Sequence, residues 1–140
     1  MKKGITLVEC PRDAMQGWHA IIPTEKKIEY LNSLLRVGFD TLDFGSFVSA
    51  KAIPQMADTA AVLEGLDNAR ISFPGAHDPA DGRTRLLAIV ANFRGAEEAA
   101  AWDQISYLGF PFSVSETFQL RNTNKTIEGS LATVEEIQDL

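Results

Sequence analysis

The chain has 140 residues, of which 45% are hydrophobic and 23% are charged, and its formal net charge at pH 7 is −6. This length is sufficient for one domain with a sizeable core, and the composition excludes disordered, collagen-like and low-complexity proteins. The acidic balance argues against nucleic acid as a partner, because proteins that bind it present a basic face to the phosphates.

Two features bear on the cellular compartment. The basic start is followed by an apolar run that ends at Val8, and this run is too short for a signal core or a membrane span. The single cysteine, Cys10, cannot form a disulfide within the chain. We therefore expect a cytoplasmic protein with no membrane partner.

The predicted elements alternate between short apolar strands and amphipathic helices. Strands are predicted, in chain order, at 5–9, 41–44, 86–91 and 105–108. A first helix is predicted from Thr24, which suits an N-cap, to Gly38, which suits a helix end. Further helices are predicted over 56–66, 96–102 and 126–137. Four βα units in series imply an α/β fold with a parallel sheet and helical crossovers.

Apolar residues at helical spacing predict the buried face of three of these helices. The predicted inward residues are Ile28, Leu31, Leu34 and Leu35 in the first helix, Met56, Val62, Leu63 and Leu66 in the second, and Ile127, Leu131, Val134 and Ile137 in the last. We expect one domain over 1–140. Segment 67–85 contains two prolines and two glycines without a sustained period, and we interpret it as a surface insertion.

Charged residues follow the first predicted strand at Arg12 and Asp13. The carboxyl ends of parallel strands form the edge at which α/β proteins bind ligands. An arginine supplies a permanent cation there, and an aspartate supplies an oxygen ligand for a hard metal ion. Taken alone, adjacent Arg and Asp residues are also typical of a solvated surface. Asp43 alternates with Leu42 and Phe44 and therefore points away from both.

Four motifs, spread over most of the chain, resemble the hydroxymethylglutaryl-CoA lyase family. They are PRD-x-x-Q at 11–16, SFVS-x-K-x-x-PQM-x-D at 46–58, N-x-RG at 92–95, and SE-x-F at 115–118 with Asn122 and Asn124. The second motif is long and specific, whereas the first alone would be weak. The family belongs to a group of metal-dependent TIM-barrel lyases and synthases.

The resemblance implies roles for particular residues. Arg12 would stabilise the enolate formed when a carbon–carbon bond breaks, and Asp13 would bind a divalent cation, Mg²⁺ or Mn²⁺. Asp43 stands where the family usually has glutamate and would position both catalytic groups. The substrate-binding residues would be Gln16, Ser46, Ser49, Asn92 and Asn124. The implied partner is an acyl-CoA substrate, and the implied assembly is a homo-oligomer.

The implied fold is about the first four of the eight βα units of a TIM barrel. The histidine pair and the catalytic cysteine loop of the family would lie in the other half. We therefore expect the 140-residue chain to be inactive alone, although the implied reaction is cleavage of 3-hydroxy-3-methylglutaryl-CoA to acetyl-CoA and acetoacetate.

Three alternatives stay open on the residues alone. The chain could belong to a related acyl-CoA or 2-oxoacid aldolase or synthase, or it could be a non-catalytic module that binds CoA. Ser46 and Ser49 could cap local backbone rather than contact a ligand. Cys10 is interpreted as a small buried hydrophobic residue rather than a nucleophile.

Overall fold

The computed structural model describes residues 4–75 and 82–140. Strands and helices alternate along it in the order β1 (Val8–Glu9), α1 (Pro11–Gln16), α2 (Thr24–Val37), β2 (Thr41–Phe47), α3 (Thr59–Glu64), β3 (Arg85–Val90), α4 (Phe93–Ala100), β4 (Ile105–Gly109), α5 (Glu116–Thr123) and α6 (Ile127–Gln138). Short 3₁₀ turns lie at Pro54–Met56 and Asn68–Arg70. Among the residues in these ranges, no helix has both the length and the apolar character needed to span a membrane.

The sheet is parallel throughout and its spatial order is β1-β2-β3-β4, the order of the chain. This confirms the predicted α/β class, because each parallel neighbour is reached through a helical crossover. Parallel strands all end at the same edge, so the segments that leave β1, β2 and β3 meet there.

The core lies between the sheet and the helices that cover one of its faces. In β3, Leu86, Ala88 and Val90 are buried, whereas Leu87 and Ile89 are half-buried on the opposite face. The buried set packs in one cluster with side chains of β2, α2, α3 and α4, including Leu42, Phe44, Leu31, Leu35, Val62, Leu63, Ala96 and Ala99. The opposite face is the less covered one, and it carries the polar groups described below.

A bulge in β2 determines which side chains share that less covered face. Asp43 pairs with Leu87 and Ser46 pairs with Ile89, while the register shifts between Asp43 and Gly45. Residues three apart in a regular strand point to opposite faces. The extra residue of the bulge instead turns Asp43 and Ser46 to the same face, and Gly45 faces α3 and Thr59.

Several predicted boundaries are corrected by the structure. The strand predicted at 5–9 is reduced to β1, and Ile5 and Leu7 are exposed. The strand predicted at 41–44 continues to Phe47, so Gly45 and Ser46 belong to a strand rather than a loop. The helix predicted over 56–66 divides into a 3₁₀ turn and α3.

The predicted bounds of the first and last helices agree with α2 and α6 to within one residue, but the buried face of α6 differs from the prediction. Gly38 ends α2 with a φ of 80°, a left-handed conformation that suits glycine. The prediction that Leu131 of α6 points inward is wrong, because this residue is 50% exposed. The buried residues of α6 are Ser130 and Thr133, and the Gln119 side chain of α5 donates to Ser130 Oγ at 2.6 Å.

The interpretation of 67–85 as a surface insertion is also corrected at both ends. Ile71, Ser72 and Thr84 are buried, and Ile71 forms a parallel bridge with Thr84. Both flanks of the segment therefore join the core, because they extend the sheet rather than leave it. Residues 76–81 lie outside the described residues.

A buried ion pair joins α2 to the start of α3. The side chain of Lys27 is 3% exposed and its Nζ lies 2.6 Å from Asp58 Oδ1. The Thr24 hydroxyl donates to the other oxygen of this carboxylate at 2.7 Å. A buried cation needs such partners because its desolvation is costly.

We expect Lys27→Met to lower the free energy of unfolding by about 3 kcal/mol, because Asp58 would lose its cation in a poorly solvated place. Lys26→Met is the matched control, since Lys26 pairs with Glu29 on the exposed surface and such pairs contribute little. Urea unfolding of both variants measures the difference. Equal midpoints for the two variants would contradict the assignment.

Gly95, near the start of α4, is required by a close approach to β2. A Cβ at this position would lie 2.2 Å from the carbonyl oxygen of Phe47. We expect Gly95→Ala to destabilise the protein by about 1–3 kcal/mol, although alanine is the better helix former. Gly4→Ala, with nothing within 4 Å, is the control, and thermal unfolding is the measurement.

Candidate functional site

The guanidinium of Arg12 is the centre of a polar cluster beside the carboxyl end of β1 and the middle of β2. Arg12 Nε donates to both oxygens of Asp43, at 3.1 and 3.2 Å, and Nη2 donates to Asp43 Oδ2 at 2.7 Å. Arg12 Nη1 donates to Asp13 Oδ1 and to Gln16 Oε1, both at 3.1 Å. Four residues predicted as catalytic, metal-binding or substrate-binding are thus joined by hydrogen bonds.

After these hydrogen bonds, Arg12 has one unused N–H donor. A guanidinium has five N–H groups. Nε–H, both hydrogens of Nη1 and one hydrogen of Nη2 are directed to Asp43, Asp13 and Gln16. One Nη2–H is left without a partner among the described residues, and it can donate to a ligand oxygen.

Burial and charge act together on this cluster. Asp43 is 4% exposed, and the Arg12 side chain is 13% exposed. Burial alone would lower the pKa of Arg12, but the hydrogen bond and the charge of Asp43 outweigh it and raise that pKa. The arginine is therefore a permanent cation, and its orientation is fixed by a carboxylate from the neighbouring strand.

Cys10 lies beside the cluster as the residue that precedes α1. It is exposed, which corrects the interpretation of this residue as a buried hydrophobic side chain. Desolvation, followed by the negative charge of Asp43, raises the pKa of its thiol.

Asp13 is the carboxylate of this cluster that is open to solvent. Its side chain is 76% exposed, and only Oδ1 accepts a hydrogen bond, from Arg12. Mg²⁺ is commonly held by one or two carboxylates and several waters, so the free oxygen suits such an ion. Within residues 4–75 and 82–140, however, no group of three or more His, Cys, Asp or Glu side chains could hold a metal.

A cavity of about 450 Å³ opens between the end of β2 and the starts of α3 and α4. Its polar lining comes from Ser46, Ser49, Thr59, Asn92, Arg94 and Glu98. This volume is in the range of small-molecule sites. Arg94 donates to Glu98 at 3.0 Å, and both residues are exposed. Three of the predicted substrate-binding residues, Ser46, Ser49 and Asn92, therefore share one cavity.

The two serines make no local caps. Ser46 is 2% exposed, and its Oγ is a buried atom without a hydrogen-bond partner. An unsatisfied buried hydroxyl costs free energy. Ser49 lies at the cavity rim, and only its backbone carbonyl accepts hydrogen bonds, from Ala52 and Ile53. The alternative of local capping is therefore not supported at either position.

The two asparagines have different structural roles. Asn92 is the N-cap of α4, where its Oδ1 accepts from the Gly95 N–H at 2.9 Å, and it also lines the cavity. Asn124 ends α5 in a left-handed conformation with a φ of 55°, and it is not among the residues that line the cavity. Substrate binding by Asn124 stays a prediction.

Gln55 is not among the predicted functional residues, although its side chain bonds to three backbone groups. Gln55 Nε2 donates to the carbonyls of Trp18 and Ala20, and Oε1 accepts from the Ile22 N–H. The only signal was the position of Gln55 inside the PQM motif. A motif position does not reveal which segment a buried amide holds.

Comparison with known proteins shows that the relatives of this chain are lyases. No protein-family model matches it. The chain is 34% identical over 127 residues to the cytoplasmic 3-hydroxy-3-methylglutaryl-CoA lyase of Rattus norvegicus, covering 91% of this chain and 33% of that protein. It is 36% identical over 138 residues to the mitochondrial hydroxymethylglutaryl-CoA lyase of Bos taurus, covering 96% of this chain and 38% of that protein.

Solved structures give the same result. The hydroxymethylglutaryl-CoA lyase of Pseudomonas aeruginosa superposes with a TM-score of 0.80 and 30% identity, over 98% of this chain and 42% of that one. An HMG-CoA lyase from Acinetobacter baumannii, in complex with coenzyme A and 3-methylmalate, superposes with a TM-score of 0.81 and 31% identity, over 96% of this chain and 40% of that one.

The chain thus spans about a third of the length of the curated relatives it matches. The parallel sheet and these superpositions confirm the prediction of part of a TIM barrel. The predicted resemblance is also confirmed: over nearly its whole length, this chain is related to the hydroxymethylglutaryl-CoA lyases.

Proposed function

We propose that this chain contributes part of the active site of a hydroxymethylglutaryl-CoA lyase, which cleaves 3-hydroxy-3-methylglutaryl-CoA to acetyl-CoA and acetoacetate. The observation that carries the proposal is the Arg12 guanidinium, oriented by Asp43 and left with one donor at the carboxyl ends of the strands. The similarity to lyases over more than nine-tenths of the chain supports it.

The reaction needs a stabilised negative charge. The hydroxyl proton leaves, the bond between the carbinol carbon and the carbon next to the thioester breaks, and the carbinol carbon becomes the ketone of acetoacetate. The bonding pair passes to the thioester as an enolate, which then takes up a proton to give acetyl-CoA. The free Nη2–H and the positive charge of Arg12 would act on the enolate oxygen.

Asp13 would hold a divalent cation, Mg²⁺ or Mn²⁺, through the carboxylate oxygen that accepts no hydrogen bond. When bound, such an ion polarises the oxygens of the substrate. Gln16 uses Oε1 for Arg12 and keeps its amide N–H groups for the substrate. The described residues contain no group of three or more His, Cys, Asp or Glu side chains that could hold a metal, so waters or residues outside them would complete the site. That this chain alone turns over no substrate stays a prediction.

The cavity beside Ser46 would receive part of the acyl-CoA. Its rim carries the exposed Arg94, whose cation suits a phosphate, and Ser46 is among its lining residues. The complex of the Acinetobacter baumannii relative with coenzyme A supports an acyl-CoA ligand. A cytoplasmic location and a homo-oligomeric state stay predictions, since cytoplasmic and mitochondrial lyases are both among the relatives.

The activity can be tested in a chimaera in which this chain replaces the matching stretch of the Pseudomonas aeruginosa lyase. We expect Mg²⁺-dependent release of acetoacetate, lost on chelation, and a fall in kcat of about 10²–10³-fold for Arg12→Met, because one oxyanion donor and its charge are removed. Arg36→Met, on the exposed surface of α2, is the matched control. A folded chimaera that cleaves only a 2-oxoacid or another acyl-CoA would favour the related aldolase or synthase.

Ligand binding can be tested on the 140-residue chain itself. We expect Ser46→Ala to raise the free energy of unfolding by about 1 kcal/mol, because a buried unsatisfied hydroxyl is removed. The same change should weaken the binding of CoA in isothermal titration, because a ligand partner is lost.

Thr84→Val is the matched control for this experiment. Thr84 Oγ1 is also buried without a partner, but Thr84 does not line the cavity. Both variants should be stabilised, and only Ser46→Ala should lose affinity for CoA. Equal affinity in the two variants would remove Ser46 from the site.

A further inference from the structure

We propose that Gln55 is a positioning residue that fastens segment 17–23, between α1 and α2, to the turn after β2 and thereby keeps Arg12 beside Asp43. The catalytic meaning of this inference rests on the proposed function. Its structural content does not, because it concerns contacts within this chain.

The Gln55 side chain is bonded to three backbone groups of one segment. It is 3% exposed. Its Nε2 lies 3.3 Å from the Trp18 carbonyl and 2.9 Å from the Ala20 carbonyl, and its Oε1 lies 2.9 Å from the Ile22 nitrogen. Both N–H donors and the amide oxygen are thus used on alternate residues of one segment, much as a neighbouring strand would use its backbone.

Segment 17–23 makes few other contacts that would hold it in place. Residues 17–21 are all exposed, and the large apolar side chains of Trp18 and Ile21 are directed into solvent. Ile22 is the first residue of the segment to pack partly against the core. Backbone hydrogen bonds to a buried amide are therefore the main restraint on these residues.

Gln55 is itself held in place through its backbone, by a contact with α2. Its backbone carbonyl accepts a hydrogen bond from Lys27 Nζ, and Lys27 is paired with Asp58. The 3₁₀ turn that carries Gln55 is therefore tied to α2. A side chain on a fixed turn can transmit that position to the segment it binds.

Helix α1 connects segment 17–23 to Arg12. Helix α1 has six residues, and its N-cap, Cys10, makes no side-chain cap hydrogen bond. A helix of this length is not stable by itself, so tertiary contacts must set its place. These contacts include the buried Pro11 and Met15, the Arg12–Asp43 pair, and the chain that leaves α1 at Gly17, which Gln55 holds.

The test is ¹⁵N NMR of the 140-residue chain with Gln55→Ala. The Nε–H of Arg12 gives a distinct signal while it is bonded to Asp43, and the Ile22 amide exchanges slowly with solvent while it is bonded to Gln55. We expect exchange at Ile22 to become at least about tenfold faster and the Arg12 Nε–H signal to broaden or vanish.

Asn32→Ala is the matched control. The Asn32 amide also bridges two backbone groups of one loop, since Nδ2 donates to the Gly65 carbonyl and Oδ1 accepts from the Asp67 N–H. It should lower the melting temperature without changing the Arg12 signal. An unchanged Arg12 signal in Gln55→Ala, or an equal loss in Asn32→Ala, would overturn the proposal.

Gln55→Glu covers the case in which Gln55→Ala does not fold. The isosteric carboxylate can still accept from Ile22 but cannot donate to Trp18 and Ala20. We expect an intermediate loss of the Arg12 signal, and a signal equal to that of the unchanged chain would overturn the proposal. No substrate enters these measurements, so their outcome is independent of whether the lyase activity is found.

Discussion

The bidentate pair between Arg12 and Asp43 is the interaction on which the arrangement of this site depends. It joins a short helix after β1 to the middle of β2, with Nη2 and Oδ2 at 2.7 Å. Strand β1 has only two residues paired with β2, so the sheet ladder contributes little to holding the start of the chain. A buried carboxylate without its cation would be strongly unfavourable, and this penalty keeps α1 beside the middle of β2.

The bulge in β2 determines which face of the sheet Asp43 and Ser46 share. It turns Asp43 and Ser46 to one face although they are three residues apart. The glycine at position 45 permits α3 to pack close, because a Cβ there would lie 2.7 Å from the Thr59 side chain. One strand thus supplies both the carboxylate that orients the arginine and, at Ser46, part of the cavity lining, while Gly45 lies against α3.

Much of this architecture follows from sequence pattern, and the exceptions have physical causes. The apolar stripe of α2 and the glycine after it predict that helix well, because burial and the left-handed C-cap both act locally. Helix α1 was missed since six residues carry too little periodicity, although Pro11 at its start is a helix signal. Helix α5 buries Gln119 and exposes Phe118, so its pattern opposes the usual apolar rule.

The site could be predicted in part for similar reasons. Strand alternation predicts the correct face for Asp43. The motif at 46–58 contains the two serines that line the cavity. Neither alternation nor a motif reveals a bulge, an unpartnered buried hydroxyl or a count of occupied guanidinium donors. Those properties arise from contacts between residues far apart in the chain, such as Gln55 with Ile22 at 2.9 Å.

The thiol at the start of α1 has a consequence for how this rim reacts with electrophiles. Cys10 is exposed, but desolvation and the Asp43 carboxylate raise the pKa of its thiol. Because the thiolate is the nucleophile, a raised pKa lowers the fraction of sulfur that can react. The same carboxylate that orients the arginine therefore slows alkylation and oxidation of the neighbouring sulfur.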